Sequence, residues 1–582
     1  MMLRNLILCS RGEIPADLVI RNVRIVNVFS EEIFEGEIAV KDGFITRVGS
    51  CGDLIGEMTR VFDGEGMFAV PGFIDAHVHV ESSLLCPSQF AKAAIPHGTS
   101  AIITDFHELA NVLGVRGIKM IISEAKRLPM RIFIMAPSCV PAAPGVDTSG
   151  AEIGPKDIEE LLREDLVIGL GEMMNFPGVI NAEKDVLDKI LSTEKKRKVI
   201  DGHAPLLSGR DLQAYRTSGI ITDHESTEIE EAIEKLRLGM YLLVRQGSVS
   251  KNIDILRGIL EMGLPLERCI FVTDDKHVDD ILKNGHLEPV LRTAVEMGVD
   301  PIKAIKMVTL HVATAYRLSR MGAIAPGYYA DIVLLEDLRN FGVKAVFLSG
   351  KLAAKDGKLL ISIEPYEYPK WALETINLKR KISSGDLTIR AKGDTVRIRV
   401  IGAKENSVIT DEIIENMEVR EGLIEADVER DILEIVVVER HKATGNIGLG
   451  FVRGFGLKRG AIGSSVAHDS HNIVAVGTNR EDLARAINAI AEMRGGLVAV
   501  EEGKVVAKLE LPLAGLMSLE EPNIVADKLR KLIEAARKIG ARFENPFMTL
   551  SFMALPVIPK LKITDKGLFD VESFKHVPLI VK

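Results

Sequence analysis

The 582-residue sequence predicts an α/β protein built around a (β/α)8 TIM barrel, with a small β-sandwich beside the barrel and a C-terminal α+β domain. Three observations support this fold class. Short apolar runs recur eight times with helical patterns between most of them, β-rich segments flank that block on both sides, and most of the runs end in titratable residues. A doubly wound sheet would show the same periodicity, so the placement of the polar residues favours the barrel.

The β-rich segments on either side of the middle block predict one β-sandwich. Residues 16–28 and 36–48 alternate β-branched with polar residues, and Asp42-Gly43 is a hairpin signal. A similar pattern returns after the middle block, at 330–335 and 344–359. We therefore assign residues 1–68 together with 324–365 to the sandwich.

The middle block, residues 69–323, is predicted to form the metal-binding catalytic barrel. Helical patterns such as 117–127 and 229–238 separate the apolar runs. Titratable clusters end the first, second, fourth, fifth, sixth and eighth runs. In a barrel these strand ends share one rim, and that rim holds the active site. The eight predicted strands are 68–75, 100–105, 131–136, 166–171, 198–202, 219–223, 240–245 and 269–273.

The remaining residues, 366–582, predict an α+β domain that could cover the active site. The Gly-rich stretch 445–463 lacks the Gly-Lys-Ser/Thr ending of a phosphate loop, so we interpret it as flexible backbone. The clearest predicted strands and helices of this domain are 395–401, 432–439, 472–477, 480–494 and 522–540.

The bulk composition favours a soluble, cytoplasmic protein. Five scattered cysteines without a CxxC pair argue against a disulfide framework and against a cysteine zinc site. Neither a secretory signal nor a run of about 18 apolar residues is present. The net charge of −9 and the aromatic content of 5% argue against nucleic acid. We therefore expect neither nucleic acid nor membrane as a partner.

The sharpest motif is His77-Val78-His79, at the end of the first predicted barrel strand. Residues i and i+2 of a strand point to the same face, so both imidazoles can reach one divalent ion. An HxH pair is a weak signal alone, but this one ends an apolar strand that follows Pro71-Gly72. We therefore predict a metal site, for which zinc, iron and manganese are equally suitable on ligand type.

Further candidate ligands occupy equivalent strand ends. One ion could take the two histidines of the first strand together with Asp274, a second could take His203 and His224, and Glu172 could bridge the two ions. The sequence thus predicts two divalent metal ions on the rim. The predicted ligand set is His77, His79, Glu172, His203, His224 and Asp274.

Motifs at the strand ends and near the C-terminus form a set: PGFIDAHVHVESS, TDFHELANV, GEMMNFPGV, DGHAP, TDHES, FVTDD and SVAHDSHNIVAVG. Together they resemble the bacterial and archaeal adenine deaminases of the amidohydrolase superfamily. They extend from about residue 70 to residue 480, so the resemblance covers most of the chain. Many members of the superfamily bridge two metals with a carboxylated lysine on the fourth strand. This chain has Glu172 there, as adenine deaminases do, which argues against the dihydroorotase and hydantoinase branch.

The resemblance implies hydrolytic deamination of adenine to hypoxanthine and ammonia by a metal-activated hydroxide, a step of purine salvage (EC 3.5.4.2). It implies two divalent ions, Mn(II) or Fe(II) in preference to Zn(II), with adenine and water as the small-molecule partners. Barrels of this kind often pair, so we also expect a homo-oligomer, either a dimer or a tetramer.

The resemblance also suggests roles for three acidic residues. Asp274 is the candidate general base and proton shuttle. Asp275 is expected to contact a purine nitrogen, as a second Asp does in other purine deaminases. Glu225 is either the acid that protonates the ring or a partner that orients a ligand histidine.

Other polar residues of the rim are expected to bind substrate or to orient the imidazoles, the alternative being loop residues bonded to backbone. They are Glu81, Ser82, Asp105, His107 and Glu108. Far along the chain, His468, Asp469 and His471 could form an active-site lid, an additional metal site or a polar turn. The resemblance favours the lid, to which Ser464-Ser465 and the preceding glycines would give mobility.

Two other functions stay open from the sequence. Another amidohydrolase reaction, such as deamination of a different base or hydrolysis of a cyclic amide, would use the same scaffold. A non-catalytic scaffold of this fold would have lost several ligands, whereas the predicted ligand set is complete.

Overall fold

The chain begins with a helix and five strands, in a computed structural model that describes residues 1–248, 251–405 and 407–581. The turn between the second and third strands is the predicted Asp42-Gly43, with φ of 49° and 81°. Positive φ at both central residues is the type I′ geometry that suits the twist of a hairpin. These elements are α1 Met2–Ser10, β1 Leu18–Asn27, β2 Glu32–Lys41, β3 Phe44–Gly49, β4 Arg60–Asp63 and β5 Phe68–Pro71.

Eight parallel strands follow, each overlapping one of the eight predicted runs. The first five form one sheet in chain order and the last three form another. They are β6 Phe73–Asp75, β7 Thr99–Thr104, β8 Arg131–Ala136, β9 Val167–Met173, β10 Val199–Gly202, β11 Thr222–Asp223, β12 Tyr241–Arg245 and β13 Cys269–Val272.

The two parallel sheets contact each other at both edges. At one edge Ile221 N donates to Ile200 O at 3.1 Å. At the other, Asp274 N donates to His77 O at 2.9 Å and His79 N donates to Asp274 O at 3.0 Å. The arrangement is therefore TIM-barrel-like, with the ends of β6 and β13 joined next to the HxH motif.

Helices cover the outside of these strands and include both helical patterns that the sequence predicts. They pack through apolar side chains into one extended cluster. These helices are α2 Pro87–Ala94, α3 His107–Ala125, α4 Pro155–Leu161, α5 Phe176–Ile180, α6 Lys184–Lys195, α7 Gly209–Thr217, α8 Ile229–Arg237, α9 Ile255–Glu261, α10 Val278–Asn284, α11 Glu288–Glu296, α12 Pro301–Met307 and α13 Leu310–Ala315.

Strands from both sides of the barrel form one nine-stranded sheet, in the order β17-β16-β15-β14-β5-β1-β2-β3 with β4 paired to β1. Its apolar face is shared, because Ile20, Ile38 and Leu334 lie in one buried cluster. The Phe62 and Phe347 rings meet at 5.1 Å, so distant strands of the sheet pack on each other. The added strands are β14 Ile332–Leu335, β15 Val343–Leu348, β16 Lys351–Lys355 and β17 Lys358–Leu359.

The structure splits the predicted run 68–75 into two strands at Gly72. The part before Gly72, β5, pairs with β1 and β14 in the nine-stranded sheet, and only the part after it, β6, enters the barrel. A Cβ on Gly72 would lie 2.5 Å from Ser100 Oγ, so this crossing point has no room for a side chain. Residues 68–71 therefore belong with the sandwich.

The C-terminal segment contains a second nine-stranded sheet and two long helices. Helix α15 packs on β24, β25 and β26, and α16 packs on β26 and β27. The elements are α14 Lys370–Leu373, β18 Ile389–Arg390, β19 Thr395–Gly402, β20 Asp411–Glu418, β21 Leu423–Ile424, β22 Ile432–Val438, β23 Ile447–Arg453, β24 Ala461–Ser464, β25 Ile473–Gly477, α15 Arg480–Glu492, β26 Gly496–Glu501, β27 Lys504–Glu510, α16 Pro522–Lys538, α17 Pro546–Phe552, β28 Leu561–Thr564, β29 Gly567–Asp570, β30 Lys575–His576 and β31 Ile580–Val581.

The Gly-rich stretch 445–463 is not flexible backbone, as the sequence suggested, but part of this sheet. It contains β23 and most of β24, both paired on two sides. A Cβ on Gly448 would lie 1.9 Å from Thr564 O. Glycine is required there because β28 ends directly against the strand.

The C-terminal domain lies over the rim formed by the carboxyl ends of the parallel strands. Ser518 N donates to Leu84 O at 2.7 Å, and Asn472 Nδ2 donates to Thr148 O at 2.9 Å. One apolar cluster runs from the barrel helices into the C-terminal domain and includes Phe90 and Val525. Within the three described ranges, no helix has both the length and the apolar character needed to cross a membrane.

Candidate metal centre and active site

The HxH motif presents two buried imidazoles at the end of β6. The ring centroids of His77 and His79 are 4.9 Å apart, and the His77 ring stacks on that of His224 at 4.1 Å. Val78 between them pairs with Asp274, which keeps the segment extended and directs both imidazoles to the same side. The structure thus brings together ligand candidates from three different strand ends.

Glu172 lies at the centre of the predicted ligand set. Its Oε1 atom is 3.5 Å from His79 Nε2. Its Oε2 atom is 2.7 Å from His203 Nδ1 and 3.1 Å from His224 Nε2. One oxygen therefore faces the first strand and the other faces the fifth and sixth, which is the geometry that a bridging carboxylate needs.

Asp274 completes the first group of donors. Its Oδ1 atom lies 3.2 Å from His79 Nε2 and 3.6 Å from His77 Nε2. Its backbone adopts φ of 56°, a left-handed conformation that is strained for a residue other than glycine. Such strain is frequent where a side chain must be aimed into an active site.

The donors present fit divalent metal ions. His77 Nε2 is buried, faces Asp274, and has no hydrogen-bond partner among the described residues. The Nδ1 atoms of His77 and His79 face Asp201 and Asp105, each at 3.6 Å, so the Nε2 atoms point to the common centre. Donor groups whose atoms lie within 4.8 Å of one another are His77–His79–Asp274, His77–Glu172–His224, His203–His224–Glu225 and His79–Asp105–His107–Glu172.

The electrostatics of the cluster call for positive charge. Burial lowers the pKa of His77, but Asp201 and Asp274 outweigh it and raise that pKa to about 10. Burial raises the pKa of Glu172, but its histidine neighbours hold it well below the usual range. The carboxylates are thus ionised, and cations at their centre, whether protonated imidazoles or metal ions, balance them.

Asp105 and His107 lie beside the predicted ligands. His107 Nδ1 is 3.0 Å from Asp105 Oδ1 and 3.5 Å from Glu172 Oε1. Asp105 therefore faces two imidazoles, those of His79 and His107, and can orient both. Because the four residues His79, Asp105, His107 and Glu172 form one donor group, His107 is also placed to serve as a ligand.

Glu81 and Ser82 lie on the same rim but away from the metal cluster. Glu81 Oε1 accepts from Leu109 N at 3.1 Å, which holds the start of α3. Burial and the nearby Glu108 carboxylate raise the pKa of Glu81 to about 7. Ser82 Oγ donates to Asp275 Oδ1 at 2.5 Å, so it fixes the carboxylate that follows Asp274.

Arg245, at the end of β12, is a site residue that sequence reasoning missed. Its Nη1 atom donates to Asp274 Oδ2 at 2.9 Å and also to Glu225 Oε1, and its Nη2 donates to Glu225 Oε2 at 3.3 Å. Burial raises the pKa of Glu225, but Arg245 together with His203 and His224 outweighs burial, and the pKa is lowered. The signal was available, since Arg245 is the terminal residue of the seventh predicted run. Asp201, inside the DGHAP motif, was missed in the same way.

The C-terminal domain contacts the barrel through two histidines, His468 and His471, which both face Glu108. His468 Nδ1 lies 2.6 Å from Glu108 Oε1, and His471 Nε2 lies 3.1 Å from Glu108 Oε2. All three are buried. Asp469 is also buried, and burial raises the pKa of its carboxyl.

The segment before these histidines is held firmly, contrary to the mobility expected of Ser464-Ser465. Ser464 ends β24, and Ser465 Oγ donates to Gly515 O at 2.6 Å and accepts from Gly496 N at 2.7 Å. Arg440 Nε donates to His471 O from a fully buried position. Both serine hydroxyls form hydrogen bonds with backbone groups, so they hold the end of β24 in place.

An open cavity lies between the rim and the C-terminal domain. Ser82 and His468 are among the polar side chains on its wall, and about half of the lining residues are apolar. The lining residues are Ser82, Leu84, His277, Ser464, Val466, His468, Leu497, Leu529, Ile533, Asn545, Phe547, Met548 and Ser551.

Comparison with protein families finds two matches. Residues 68–353 match the model described as "Amidohydrolase family", and residues 407–575 match "Adenine deaminase C-terminal domain". The first range contains every residue of the predicted ligand set, and the second contains His468 and His471. The two parts of the candidate site thus fall in two separate family matches.

Relatives that match this chain over almost their full length are adenine deaminases. An adenine deaminase of Dehalococcoides mccartyi is 45% identical over 576 residues, covering 99% of this chain and 99% of that protein. Adenine deaminases of Methanothrix thermoacetophila and Archaeoglobus fulgidus are each 45% identical, over 583 and 578 residues, covering 100% and 99% of this chain and 100% and 98% of theirs.

Among solved structures, the chain is distantly similar to an enamidase of the amidohydrolase superfamily. The two are 18% identical with a TM-score of 0.44, over 58% of this chain and 96% of that one. A β-aspartyl dipeptidase from Fervidobacterium islandicum is 17% identical with a TM-score of 0.44, over 60% and 98%.

Proposed function

The chain belongs to the adenine deaminase family, and on that premise we propose that it hydrolyses adenine to hypoxanthine and ammonia on the covered rim of its barrel. The observation that carries the proposal is the convergence of the whole predicted ligand set around Glu172. Its relatives over almost the full length are adenine deaminases.

We assign two divalent ions to this site. His77, His79 and Asp274 would hold one ion, the two histidines of the fifth and sixth strands would hold the other, and Glu172 would lie between them. The donor groups contain imidazole and carboxylate only, which suits all three candidate metals, and the family membership favours Mn(II) or Fe(II), with Zn(II) as the alternative. When bound, such ions lower the pKa of water toward neutrality and so supply the nucleophile.

Asp274 is placed to move protons between water and the substrate. Arg245 holds its Oδ2 atom, while Oδ1 faces the imidazoles of the first strand and has no such donor. Adding water to C6 of adenine leaves one proton for ring nitrogen N1 and one for the exocyclic amine. The Asp274 carboxylate carries each in turn, the C6–N bond breaks, and ammonia leaves with hypoxanthine as the product.

Glu225 supports the imidazoles rather than protonating the ring. Its Oε1 atom is 3.4 Å from His224 Nε2 and 3.7 Å from His203 Nδ1. The buried ion pair with Arg245 keeps it ionised, and a carboxylate in that state has no proton to give. The ionised state argues against the acid role, while the nitrogens that Glu225 faces are the same ones that face Glu172, which places it beside the second ion.

Asp275 is the proposed contact to a purine nitrogen. Ser82 occupies its Oδ1 atom, and burial together with the adjacent Asp274 raises its pKa. A carboxyl with a raised pKa can either donate to or accept from a ring nitrogen. Ser82 also lines the cavity under the C-terminal domain, so Asp275 lies next to the space that a purine would enter.

Two further expectations, on the barrel and on the oligomeric state, complete the proposal. The contacts at both edges of the parallel sheets support one closed (β/α)8 barrel. The expected homo-oligomer, a dimer or tetramer, stays a prediction. Both concern the frame of the site rather than its chemistry.

The test is ammonia release from adenine by protein loaded anaerobically with Fe(II) or Mn(II). We expect ammonia and hypoxanthine in a one-to-one ratio, and loss of both products in Glu172→Gln and Asp274→Asn. Absence of turnover in wild-type protein with two metal ions confirmed per chain would contradict the proposal. Other bases and cyclic amides would then be the substrates to examine.

A further inference from the structure

The contact between Glu108, His468 and His471, which we call the inter-domain clamp, is not explained by the chemistry above. Glu108 belongs to the start of α3, and both histidines belong to the loop between β24 and β25. Their donor atoms lie within 4.8 Å of one another, a spacing that would suit a metal ion. The hydrogen bonds around His471 decide against that reading.

His471 has a fixed tautomer. Ala467 N donates to His471 Nδ1 at 3.2 Å, so Nδ1 carries a lone pair and not a hydrogen. The hydrogen of the neutral ring is therefore on Nε2, which faces Glu108 Oε2 at 3.1 Å. A metal ligand would need its lone pair on that atom, so His471 turns an N–H, not a ligand lone pair, toward Glu108.

His468 is the cationic member of the clamp. Burial lowers its pKa, but Glu108 outweighs burial and raises it to about 9, with Asp275 and Asp469 adding to the effect. Burial lowers the pKa of His471 to about 4, which keeps that ring neutral. Glu108 thus faces one cationic and one neutral imidazole, one on each of its oxygens.

The Nε2 atoms of both histidines lack a hydrogen-bond partner among the described residues, but only that of His471 has the Glu108 carboxylate beside it. His468 Nδ1 is used on Glu108, whereas His468 Nε2 is buried and has no hydrogen-bond partner among the described residues. The ring lies on the wall of the cavity under the C-terminal domain and is stacked on Phe552, with centroids 5.2 Å apart and planes at 24°. A buried N–H without an acceptor is costly, and it is common where a ligand supplies the acceptor.

We propose that His468 donates from Nε2 to a ring nitrogen of the bound purine, so that the C-terminal domain supplies a substrate-binding residue to the barrel. The inference rests on the proposed function, because it takes adenine as the occupant of the cavity. On the barrel side, Ser82 lines the same space and donates to Asp275 behind it.

The chemistry of the ring agrees with this contact. A purine carries ring nitrogens with lone pairs, and a cationic imidazole is a strong donor to such an acceptor. When the nucleophile adds to C6, electron density moves onto the ring, so the same hydrogen bond strengthens as the reaction proceeds. His468 therefore acts on both substrate affinity and turnover.

The experiment measures binding without turnover. Wild-type protein and His468→Leu, both loaded with Mn(II), are titrated calorimetrically with hypoxanthine and with its 3-deaza and 7-deaza analogues. We expect His468→Leu to bind hypoxanthine about 10- to 100-fold more weakly, the usual loss for a hydrogen bond to a charged group. One deaza analogue should bind wild type with a similar loss and bind His468→Leu with no further loss.

Two variants control for indirect effects. His468→Gln, whose amide nitrogen occupies nearly the place of Nε2, should recover part of the affinity. His311→Gln changes a buried histidine that contacts Cys269 O, at the end of β13 remote from Asp274, and should bind like wild type. Bound metal per chain should be equal in wild type and His468→Leu, and loss of an ion in the variant would contradict the hydrogen-bonding role.

The outcomes separate this inference from the proposed function. If wild type deaminates adenine but His468→Leu binds hypoxanthine with wild-type affinity, the contact is wrong and the function stands. The contact is equally wrong if the loss caused by each deaza analogue is the same in both proteins. If wild type neither releases ammonia from adenine nor binds hypoxanthine, both fail.

Discussion

At the scale of single residues, Arg245 holds two carboxylates of the site in place. Replacing it with Met removes the donors of Asp274 Oδ2 and leaves Glu225 buried without its counter-charge. We expect kcat/KM for adenine to fall about 10- to 100-fold, as for other groups that orient metal ligands. Arg245→Lys should recover only part of it, because an ammonium lacks the fork that reaches both carboxylates.

The control for Arg245→Met is Arg268→Met. Arg268 donates to Gly239 O and lies over the Tyr241 ring, at the end of the strands opposite the active site. Its replacement should leave kcat/KM unchanged. Wild-type kcat/KM in Arg245→Met would show that Asp274 and Glu225 keep their positions without the guanidinium.

Lys562 predicts a pH dependence of stability. It is fully buried in β28, and burial alone lowers its pKa to about 7, while Nζ donates to Val408 O at 2.7 Å and Phe552 O at 3.0 Å. An unfolded lysine has a pKa of about 10.4. Between pH 7 and about 10 unfolding therefore takes up a proton, and the contribution of Lys562 to stability rises with pH.

The measurement is the difference in thermal midpoint between wild type and Lys562→Met across that range. Methionine has a similar length and no titratable group, so the difference reports Lys562 itself. The thermal midpoint of wild type should rise relative to that of the variant from pH 7 to about 10. A difference that stays constant with pH would mean that Lys562 keeps its proton on folding.

At the scale of elements, β23 contains a glycine that is required by lack of space and not by a turn. Because a Cβ on Gly448 would meet a backbone carbonyl at 1.9 Å, Gly448→Ala must separate β23 from β28. We expect a loss of about 1–3 kcal/mol in stability, the usual range for overpacking. Calorimetry should place this loss in a transition that includes the C-terminal domain.

Gly385→Ala is the matched control in the same domain. A Cβ there meets only Ser383 Oγ, at 3.7 Å, which is ordinary van der Waals contact. This variant should have the same thermal midpoint as wild type. Equal melting of Gly448→Ala and wild type would show that β28 can move away from β23 without loss.

The glycines of β23 also show where elements could and could not be predicted. Runs rich in Val and Ile, such as β22, were predictable because β-branched residues favour strands and periodicity marks burial. Gly448 and its neighbours weaken that signal, and the reason for them is Thr564, which is remote in sequence. The same limit applies at Gly72, where only the packing of Ser100 shows that one apolar run must be two strands.

At the scale of the whole molecule, barrel topology explains why most candidate site residues could be found from sequence. Strand ends that are far apart along the chain meet on one rim, so His77, Glu172 and Asp274 could be grouped from the sequence alone. Topology says nothing about which distant groups complete the rim. The Glu108–His468 contact depends on domain docking, which single-sequence patterns do not encode.

Domain docking leads to a last prediction, on hydrogen exchange. A ligand that binds only the native state suppresses local opening of every segment that it contacts. Hypoxanthine bound between the rim and the C-terminal domain should therefore slow exchange in residues 80–86 of the barrel and in 464–472 and 545–552 of the C-terminal domain. Residues 343–359, in the nine-stranded sheet with β1, should exchange at an unchanged rate.

The pattern of protection distinguishes a shared site from a barrel site with a passive cover. Protection confined to residues 80–86 would mean that the purine contacts the barrel alone and that the inter-domain clamp only fastens the two domains. Protection of all three segments in wild type, with loss at 464–472 in His468→Leu, would show that the ligand draws on both domains at once. The second outcome is expected, because Ser82 and His468 line one cavity from opposite domains.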